Sequence, residues 1–430
     1  FWLKPSFLKV ILPAPMLLVN GLAPGRCLHV KGKVPGKAVH LWEIKAGSHS
    51  QQEWLLEDGE IRLRSQPDLV LSVSSTTKGA AVIISSSSSR SARLRMKGDA
   101  IYTASEDMRV GTLDSVANGA ALVLVDAAGL SSQWTLLPVA EVAAWIHNGP
   151  AVGYVSRLCQ HLGVDQAWQV LWDHGVNTQD QLDRALCSSS HMLEADVGYC
   201  GGEAVMSHDA FAKQGLSLQS FLDQVSAAHA SGMRKGVKLD FKSADAFFAG
   251  EEAMRSAARV PGLEVWVNAD VLSGPGGFAG AKPVAQAQRF IATALEIFGE
   301  RTVLSLGWTT SLLGYTITDA MIDEMVSLIR QASVDAGGKG WQHITFPIGA
   351  CYCKRSPFVL ARLREEFPDS SVTLWTSDKG FYTGIMATAK DIASFAAHAP
   401  FPCFLDIWPT WRKDFEGVMQ KRQEAFRGSG

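Results

Sequence analysis

Two architectures in series are predicted from this chain. The first is an all-β domain with threefold internal repetition, and the second is an α/β domain of the (β/α)8 barrel class. Three observations carry the prediction. A motif recurs at intervals of about forty residues ahead of position 140. From Gln169 onward, short apolar strands alternate with helical stretches. Unusual polar residues gather at one end of those strands.

The totals set outer limits. A chain of 430 residues is too long for one ordinary core, so two domains are expected. Hydrophobic residues make up 47% and charged residues 19%, which excludes a disordered or supercharged protein. A formal net charge of −2 gives no steering toward nucleic acid. An anionic ligand must therefore be met by a local patch, for which Lys235, Lys238 and Lys242 are candidates. Seven cysteines are too few for a disulfide scaffold, and Cys351-Tyr352-Cys353 lacks the spacing and the second pair of a zinc knuckle. The apolar stretch from Phe7 to Val19, broken by Lys9, Pro13 and Pro15, is too short for a bilayer span and reads as a first strand rather than a signal peptide. No transmembrane segment is predicted.

Residues 1–140 consist of short β-type runs broken by Gly, Ser and Asp. Gly36-Lys-Ala-Val-His-Leu-Trp42, Gly79-Ala-Ala-Val-Ile-Ile84 and Gly119-Ala-Ala-Leu-Val-Leu124 repeat, each followed by a loop and a second apolar run. Three copies of a unit too small to bury a face alone close most easily as a pseudo-threefold barrel, with Trp54 and Trp134 at equivalent core positions. The arrangement resembles the β-trefoil of ricin B-like lectin domains, whose repeats end in Gln-x-Trp. Gln52-Glu53-Trp54 matches that ending in full, Ser132-Gln133-Trp134 lacks its Gln, and Arg93 stands where the middle Trp belongs. The resemblance implies the fold and a possible glycan partner, and for both Trp residues a structural plug outweighs sugar stacking. Ser85 to Ser89 reads as a solvated loop.

Residues 141–168 form a junction. Val139 to Ile146 reads as a short helix that Asn148-Gly149-Pro150 would stop, and Val155 to Leu162 and Asp165 to Val170 read as amphipathic pieces suited to packing between domains.

Residues 169–425 hold the α/β pattern. Predicted strands are Val170–Trp172, Met192–Val197, Gly236–Phe241, Glu264–Ala269, Val303–Leu306, His343–Pro347, Val372–Trp375 and Cys403–Ile407. Predicted helices are Thr178–Leu186, Leu218–His229, Pro283–Phe298, Thr318–Ala332, Pro357–Phe367 and Ala387–Ala397. Eight strands with helical crossovers favour a closed TIM barrel over an open doubly wound sheet, since His174-Gly175-Val176-Asn177 is not a GxGxxG phosphate loop.

Catalytic groups of such barrels project from the C-terminal strand ends. Those ends carry His174, Asn177, Glu194, Asp196, His208, Lys238, Asp240, Lys242, Asn268, Asp270, Trp308, Trp375, Lys379 and Asp406. The strand period of two puts Glu194 and Asp196 on one face, and likewise Lys238, Asp240 and Lys242. Glu194, Asp196 and Asp240 are hard oxygen donors suited to Mg²⁺ or Ca²⁺. His174 and His208 have the near-neutral chemistry of an acid and a base, and Lys242 can offset charge on a phosphoryl oxygen. Lys238 is either a pocket group or a snorkelling side chain. Trp308 and Trp375 are either rim packing or an aromatic wall for the substrate. Asp406 is a pocket acid or a buried partner of Lys242 or Lys238.

Trp172-Asp-His-Gly-Val-Asn177, Met192-Leu-Glu-Ala-Asp-Val197, Ser207-His208, Gly236-Val-Lys-Leu-Asp-Phe-Lys-Ser243, Val265-Trp-Val-Asn-Ala-Asp-Val-Leu-Ser-Gly-Pro275, Leu304-Ser-Leu-Gly-Trp-Thr-Thr310 and Asp406-Ile407 follow one another as in the menorin (FAM151) family. This resemblance covers about residues 170–415. It implies kinship with the phospholipase-C-like barrels, which include glycerophosphodiester phosphodiesterases. Carried over, it implies histidine acid–base work at His174 and His208 and a divalent ion held by Glu194, Asp196 and Asp240. Gly175 replaces an Arg usual in glycerophosphodiesterases, which removes a phosphate clamp. Three functions remain open: a metal-dependent phosphodiesterase acting on a lipid or small-polyol phosphodiester, an inactive extracellular recognition protein, and a carbohydrate-active protein delivered by its trefoil.

Overall fold

The computed structural model describes residues 15–427, except 22, 46–49, 58, 88–91, 113–118, 127–131, 140–152, 276–283, 310–315, 353–356, 377–386 and 400–401. Two compact units are present: Phe1–His147 with Lys421–Gly430, and Asn148–Gln420. The expected helix over Val139 to Ile146 lies, beyond Val139, outside the described residues, as do Ser88 and Ser89; the start of the serine run corrects the expected solvated loop, since Ser85 and Ser86 end the strand Val82–Ser86 and Ser85 is buried against Ser72.

In the first unit, three glycines make the repeat audible in the backbone. Gly36, Gly79 and Gly119 turn at φ 85°, 82° and 89°, a region that costs a residue with a Cβ and suits glycine. Each then donates its N–H to the following repeat: Gly36 to Ile84 O, Gly79 to Leu124 O, and Gly119 back to Leu41 O, at 2.8, 2.8 and 2.9 Å. Three identical handshakes returning to the first repeat are a cyclic pseudo-threefold. A ring of antiparallel strands runs through Met16–Asn20, Trp54–Glu57, Glu60–Leu63, Arg95–Lys97, Ala100–Tyr102 and Trp134–Pro138. This is a β-trefoil.

Trp54 and Trp134 fill its centre, each 1% exposed, with their indole N–H groups donating to Leu28 O and Val110 O. The middle repeat solves the same problem differently. The fully buried Leu94 donates its backbone N–H to Leu71 O, while Arg93 lies beside it in an ion pair with Glu60 and a hydrogen bond to Ser87 O. Gln52, fully buried, clamps Glu43 O and Lys45 N, which explains the Gln of the Gln-x-Trp ending.

The second unit is built on eight parallel strands in sequence order: Trp172–Asp173, Met192–Cys200, Gly236–Phe241, Val265–Leu272, Val303–Trp308, His343–Gly349, Ser371–Trp375 and Cys403–Asp406. Alternate residues divide inside from outside. Leu193, Ala195, Val197, Val237, Leu239, Phe241, Val267 and Ala269 face the helices in one continuous apolar layer. Glu194, Lys238, Asn268 and Ser305, on the opposite face, are also buried, so the interior is polar.

Thr178, Ser217, Ser243, Thr318 and Thr388 cap helices by accepting a backbone N–H of the first turn. Two helices absent from the predicted set, Ala244–Ala249 and Glu251–Ala258, follow the third strand, and Pro409–Arg427 follows the eighth. Helix Gly153–Leu162, in the stretch expected to pack between domains, closes the floor of this unit. Tyr154 Oη donates to Glu264 at 3.0 Å, accepts from Trp266 Nε1 at 2.8 Å, and its ring stacks on His343.

The first and eighth strands share no backbone pairing among the described residues. Arg412 bridges that gap, its guanidinium donating to Trp168 O and Val170 O on one side and Leu405 O on the other. The sheet is thus a near-closed barrel with a side-chain seam.

A carboxylate and histidine cluster as the candidate active site

The second strand extends beyond its neighbours and turns into a hairpin, with Val197–Cys200 pairing to Glu203–Met206. The chain then doubles back: Ser207 N donates to Asp196 O, Tyr199 N to Ala210 O and Ala212 N to Tyr199 O. A Cβ on Gly198 would lie 2.2 Å from Asp209 O, so only glycine admits this return. The flap places His208, 80% exposed, with Nδ1 3.3 Å from Asp196 Oδ2.

His174 leaves the first strand toward the same mouth. Its Nδ1 lies 3.1 Å from Asp406 Oδ1 and 3.2 Å from Glu194 Oε2. Gly175, at φ 68°, turns its N–H to Glu194 Oε2 at 3.0 Å. Asn177 then locks onto the second strand, donating Nδ2 to Asp196 Oδ2 and accepting Asp196 N. On the third strand, Lys242 Nζ is 2.6 Å from Asp196 Oδ1 and 2.5 Å from Asp240 Oδ2. Asn268 donates to Asp240 Oδ1 and accepts from Ser305. Lys238 Nζ meets Asp406 Oδ2 at 3.0 Å, deep in the interior.

The charges of this cluster set one another. Burial lowers the His174 pKa, but Glu194 and Asp406 outweigh it and raise it to about 10. Burial raises Asp406, yet Lys238 and His174 hold it well below the usual carboxylate range. Burial raises Asp240 as well, and Lys242 overcomes it. Lys242 and Lys238, which burial alone would depress, are both raised by their carboxylate neighbours. Glu194 is the exception: burial raises it, and His174 and Lys238 only partly offset that.

Donor atoms of Glu194, Asp196 and Asp240 lie within 4.8 Å of one another. The four carboxylates, set against Lys238, Lys242 and the His174 imidazolium, leave one net negative charge. A hard divalent cation fits the oxygen donor set.

Of the residues marked from sequence, Glu194, His174, Asp406 and Lys238 form one bonded group and Asn177, His208, Asp196, Lys242, Asp240 and Asn268 another, and the two adjoin where the donor atoms of Glu194, Asp196 and Asp240 come together. Asp406 resolves as the partner of Lys238 and His174. Asp270 is exposed and its carboxylate lies over Gly307, where a Cβ would come within 2.7 Å. Trp375 is half-buried at the end of the seventh strand, opposite Asp406 in register. Trp308 is a correction: it is buried between strands and helices beside Phe346, because its strand position points outward. Lys235 is another. It binds Ser188 O and Ser190 O before the third strand begins, away from Lys238 and Lys242. Lys379 lies outside the described residues. Sequence reasoning missed Ser305, whose hydroxyl orients Asn268. Its place on the inward face, level with Asn268, was readable from strand period alone.

The family model for the menorin N-terminal domain matches residues 166–394, and that for the ricin-type β-trefoil lectin domain matches residues 14–134. Protein FAM151B of Homo sapiens is 31% identical over 251 residues, spanning 56% of this chain and 83% of that protein. Among solved structures, the earthworm R-type lectin C-half in complex with GalNAc is 16% identical, covering 29% of this chain and 99% of its own, with a TM-score of 0.27. The agglutinin from Abrus precatorius is 18% identical, covering 30% of this chain and 48% of its own, with a TM-score of 0.26.

Proposed function

Because the chain belongs to the menorin family, and its menorin domain sets two histidines over a buried carboxylate cluster, we propose that it is a metal-dependent phosphodiesterase acting on a lipid or small-polyol phosphodiester. The same proposal reads the second unit as a closed (β/α)8 TIM barrel of the phospholipase-C-like type, a reading supported by its strand order and by the approach of His174 to Asp406. The observation that carries it is the meeting of His174, His208, Glu194, Asp196 and Asp240 at one mouth.

Glu194, Asp196 and Asp240 would hold Mg²⁺ or Ca²⁺, which when bound supplies a positive charge facing the phosphoryl oxygens. Lys242, one-fifth exposed beside the same carboxylates, adds an ammonium there. His208 with its Nδ1 proton directed to Asp196 leaves Nε2 to take the proton of the attacking hydroxyl. His174, flanked by two carboxylates, carries the proton that the departing alkoxide receives. As the new P–O bond forms and the old one breaks, water as nucleophile leaves a phosphomonoester and an alcohol. An internal hydroxyl instead leaves a cyclic phosphate.

A panel of glycerophosphodiesters and lysophospholipids, assayed with Mg²⁺ or Ca²⁺, tests this. At least one member should be cleaved, and His208→Ala should lower kcat at least a hundredfold while the thermal midpoint stays put, since that side chain is mostly exposed. Equal turnover by His208→Ala, or none by the unaltered protein on any member, contradicts it.

A second reading concerns the first unit alone. Its match to the ricin-type lectin domain supports glycan recognition. A glycan array probed with the full chain carrying His174→Ala and His208→Ala should retain binding, and an array without signal removes this reading.

A further inference from the structure

The carboxylates of the candidate ion site already have protein partners, and one of those partners is unlike the rest. Asp196 Oδ2 accepts from Asn177 Nδ2 at 2.7 Å and Asp240 Oδ1 from Asn268 Nδ2 at 2.6 Å, while Glu194 Oε2 accepts from Gly175 N at 3.0 Å. The other oxygens of the two aspartates, Asp196 Oδ1 and Asp240 Oδ2, both go to Lys242 Nζ, at 2.6 and 2.5 Å. We infer that Lys242 is a tethered cation that holds these two carboxylates until a divalent ion takes them, and that its displaced ammonium then turns to the phosphoryl oxygens of the substrate. The inference rests on the metal-dependent reading and deepens it.

Charge and distance carry the first half. A carboxylate oxygen accepts along two directions, so the neutral amides of Asn177 and Asn268 can stay in place beside a bound ion. Both amides are also fixed from behind, Asn177 Oδ1 accepting from Asp196 N and Asn268 Oδ1 from Ser305. Lys242 cannot stay. Its ammonium lies as near to both oxygens as a Ca²⁺ ion would, at about 2.3–2.6 Å, so an ion sharing them would stand beside a full like charge. Such repulsion is poorly screened among buried groups.

The second half follows from what Lys242 is free to do. Its backbone N donates to Val197 O at 3.0 Å, which fixes its place on the strand, but its four-carbon stem is flexible. The side chain is 21% exposed, against 5% for Lys238, which stays bound to Asp406 in the interior. Lys242 can therefore swing toward solvent and Lys238 cannot. Before the ion arrives, the ammonium keeps two crowded carboxylates paired, which protects the fold from their mutual repulsion. Afterwards, ion and ammonium act together on one anion instead of competing for one pair of aspartates.

The test titrates Mn²⁺, a hard ion suited to the same oxygen donors, into the chelator-stripped full chain at about pH 8, and counts free ion by electron paramagnetic resonance. Lys242→Met keeps the stem without the charge and should bind Mn²⁺ at least tenfold more tightly than the unaltered protein. Lys242→Arg, which keeps a charge able to bridge both aspartates, should stay close to the unaltered affinity. The unaltered protein supplies a second readout, independent of how the variants fold. Acetylation of Lys242 by a succinimidyl ester, followed by mass spectrometry, should quicken at least fivefold with saturating Mn²⁺, while the exposed Lys213 reacts as before. Equal or weaker binding by a folded Lys242→Met, or a Lys242 acetylation rate that Mn²⁺ leaves unchanged, overturns the displacement and leaves the ion site standing. If neither the unaltered protein nor Lys242→Met binds Mn²⁺, the metal-dependent reading itself fails and takes this inference with it.

Discussion

Glu194 and Asp406 both approach His174 Nδ1 and are almost equally buried, yet they answer to different partners. Asp406 neutralises Lys238, and neither reaches solvent. Asp406→Asn leaves that ammonium buried without its closest counter-charge and should cost about 3 kcal/mol, the lower end for breaking a buried ion pair. Glu194→Gln removes a charge that burial already disfavours, so the fold should lose less than about 1 kcal/mol while metal affinity falls sharply. Urea midpoints of the two variants check the contrast, and a more damaging Glu194→Gln would show that the carboxylate is structural. His343 gives the pH dependence. Burial pulls its pKa from 6.5 to about 3, so it stays neutral in the floor, bonded to Ser371. The unfolded chain takes up this proton near pH 6.5. The stabilisation is therefore complete above that pH and is lost as pH falls toward 3, at roughly 1.4 kcal/mol per unit inside the window. His343→Asn should be less stable at pH 7 but lose less between pH 7 and 5. Equal losses in both proteins would count against it.

At the level of elements, the flap decides where His208 stands. Gly198→Ala would press a methyl group on Asp209 O and force the returning strand outward, with His208 on it. A stability loss of about 1–3 kcal/mol is expected from such overpacking. The more telling expectation is a kcat loss of at least tenfold with unchanged Mg²⁺ affinity, because Asp196 lies on the strand below the flap. Parallel losses of metal and rate would place the damage lower. This flap was not legible in the sequence. Met192–Val197 reads as a strand from its alternation, but Tyr199, Cys200 and Glu203–Met206 differ little from a loop, and pairing across Gly201-Gly202 is a tertiary fact. The short helices after the third strand were missed for a related reason: Gly250 separates them and breaks the helical period. Where each strand was long and alternating, as at Glu194 and Asp196 or Lys238 and Asp240, the inward face and the site followed directly. For Trp308 the packing alternative holds, because a strand end does not by itself fix which face a side chain takes and this one points outward beside Phe346.

Across the molecule, repetition and alternation made both units readable, one through Gly36, Gly79 and Gly119 and the other through eight apolar runs. What the sequence withheld was how each scaffold fills its exceptions. Leu94 with Arg93 replaces a central Trp in the trefoil, and Arg412 replaces strand pairing at the seam of the second unit. Both depend on partners far along the chain. The donor set of the second unit is likewise collective, since no single carboxylate makes an ion site, whereas three with donor atoms within 4.8 Å of one another could share an ion. Titration of Mg²⁺ into chelator-stripped protein, following hydrolysis of whichever phosphodiester the panel identifies, tests that most directly. Activity should be absent without the ion, rise along a single saturable curve in the unaltered protein, and shift to at least tenfold higher Mg²⁺ in Asp240→Asn. Full activity in the stripped protein, or a curve that Asp240→Asn leaves in place, would mean that these carboxylates serve the fold alone.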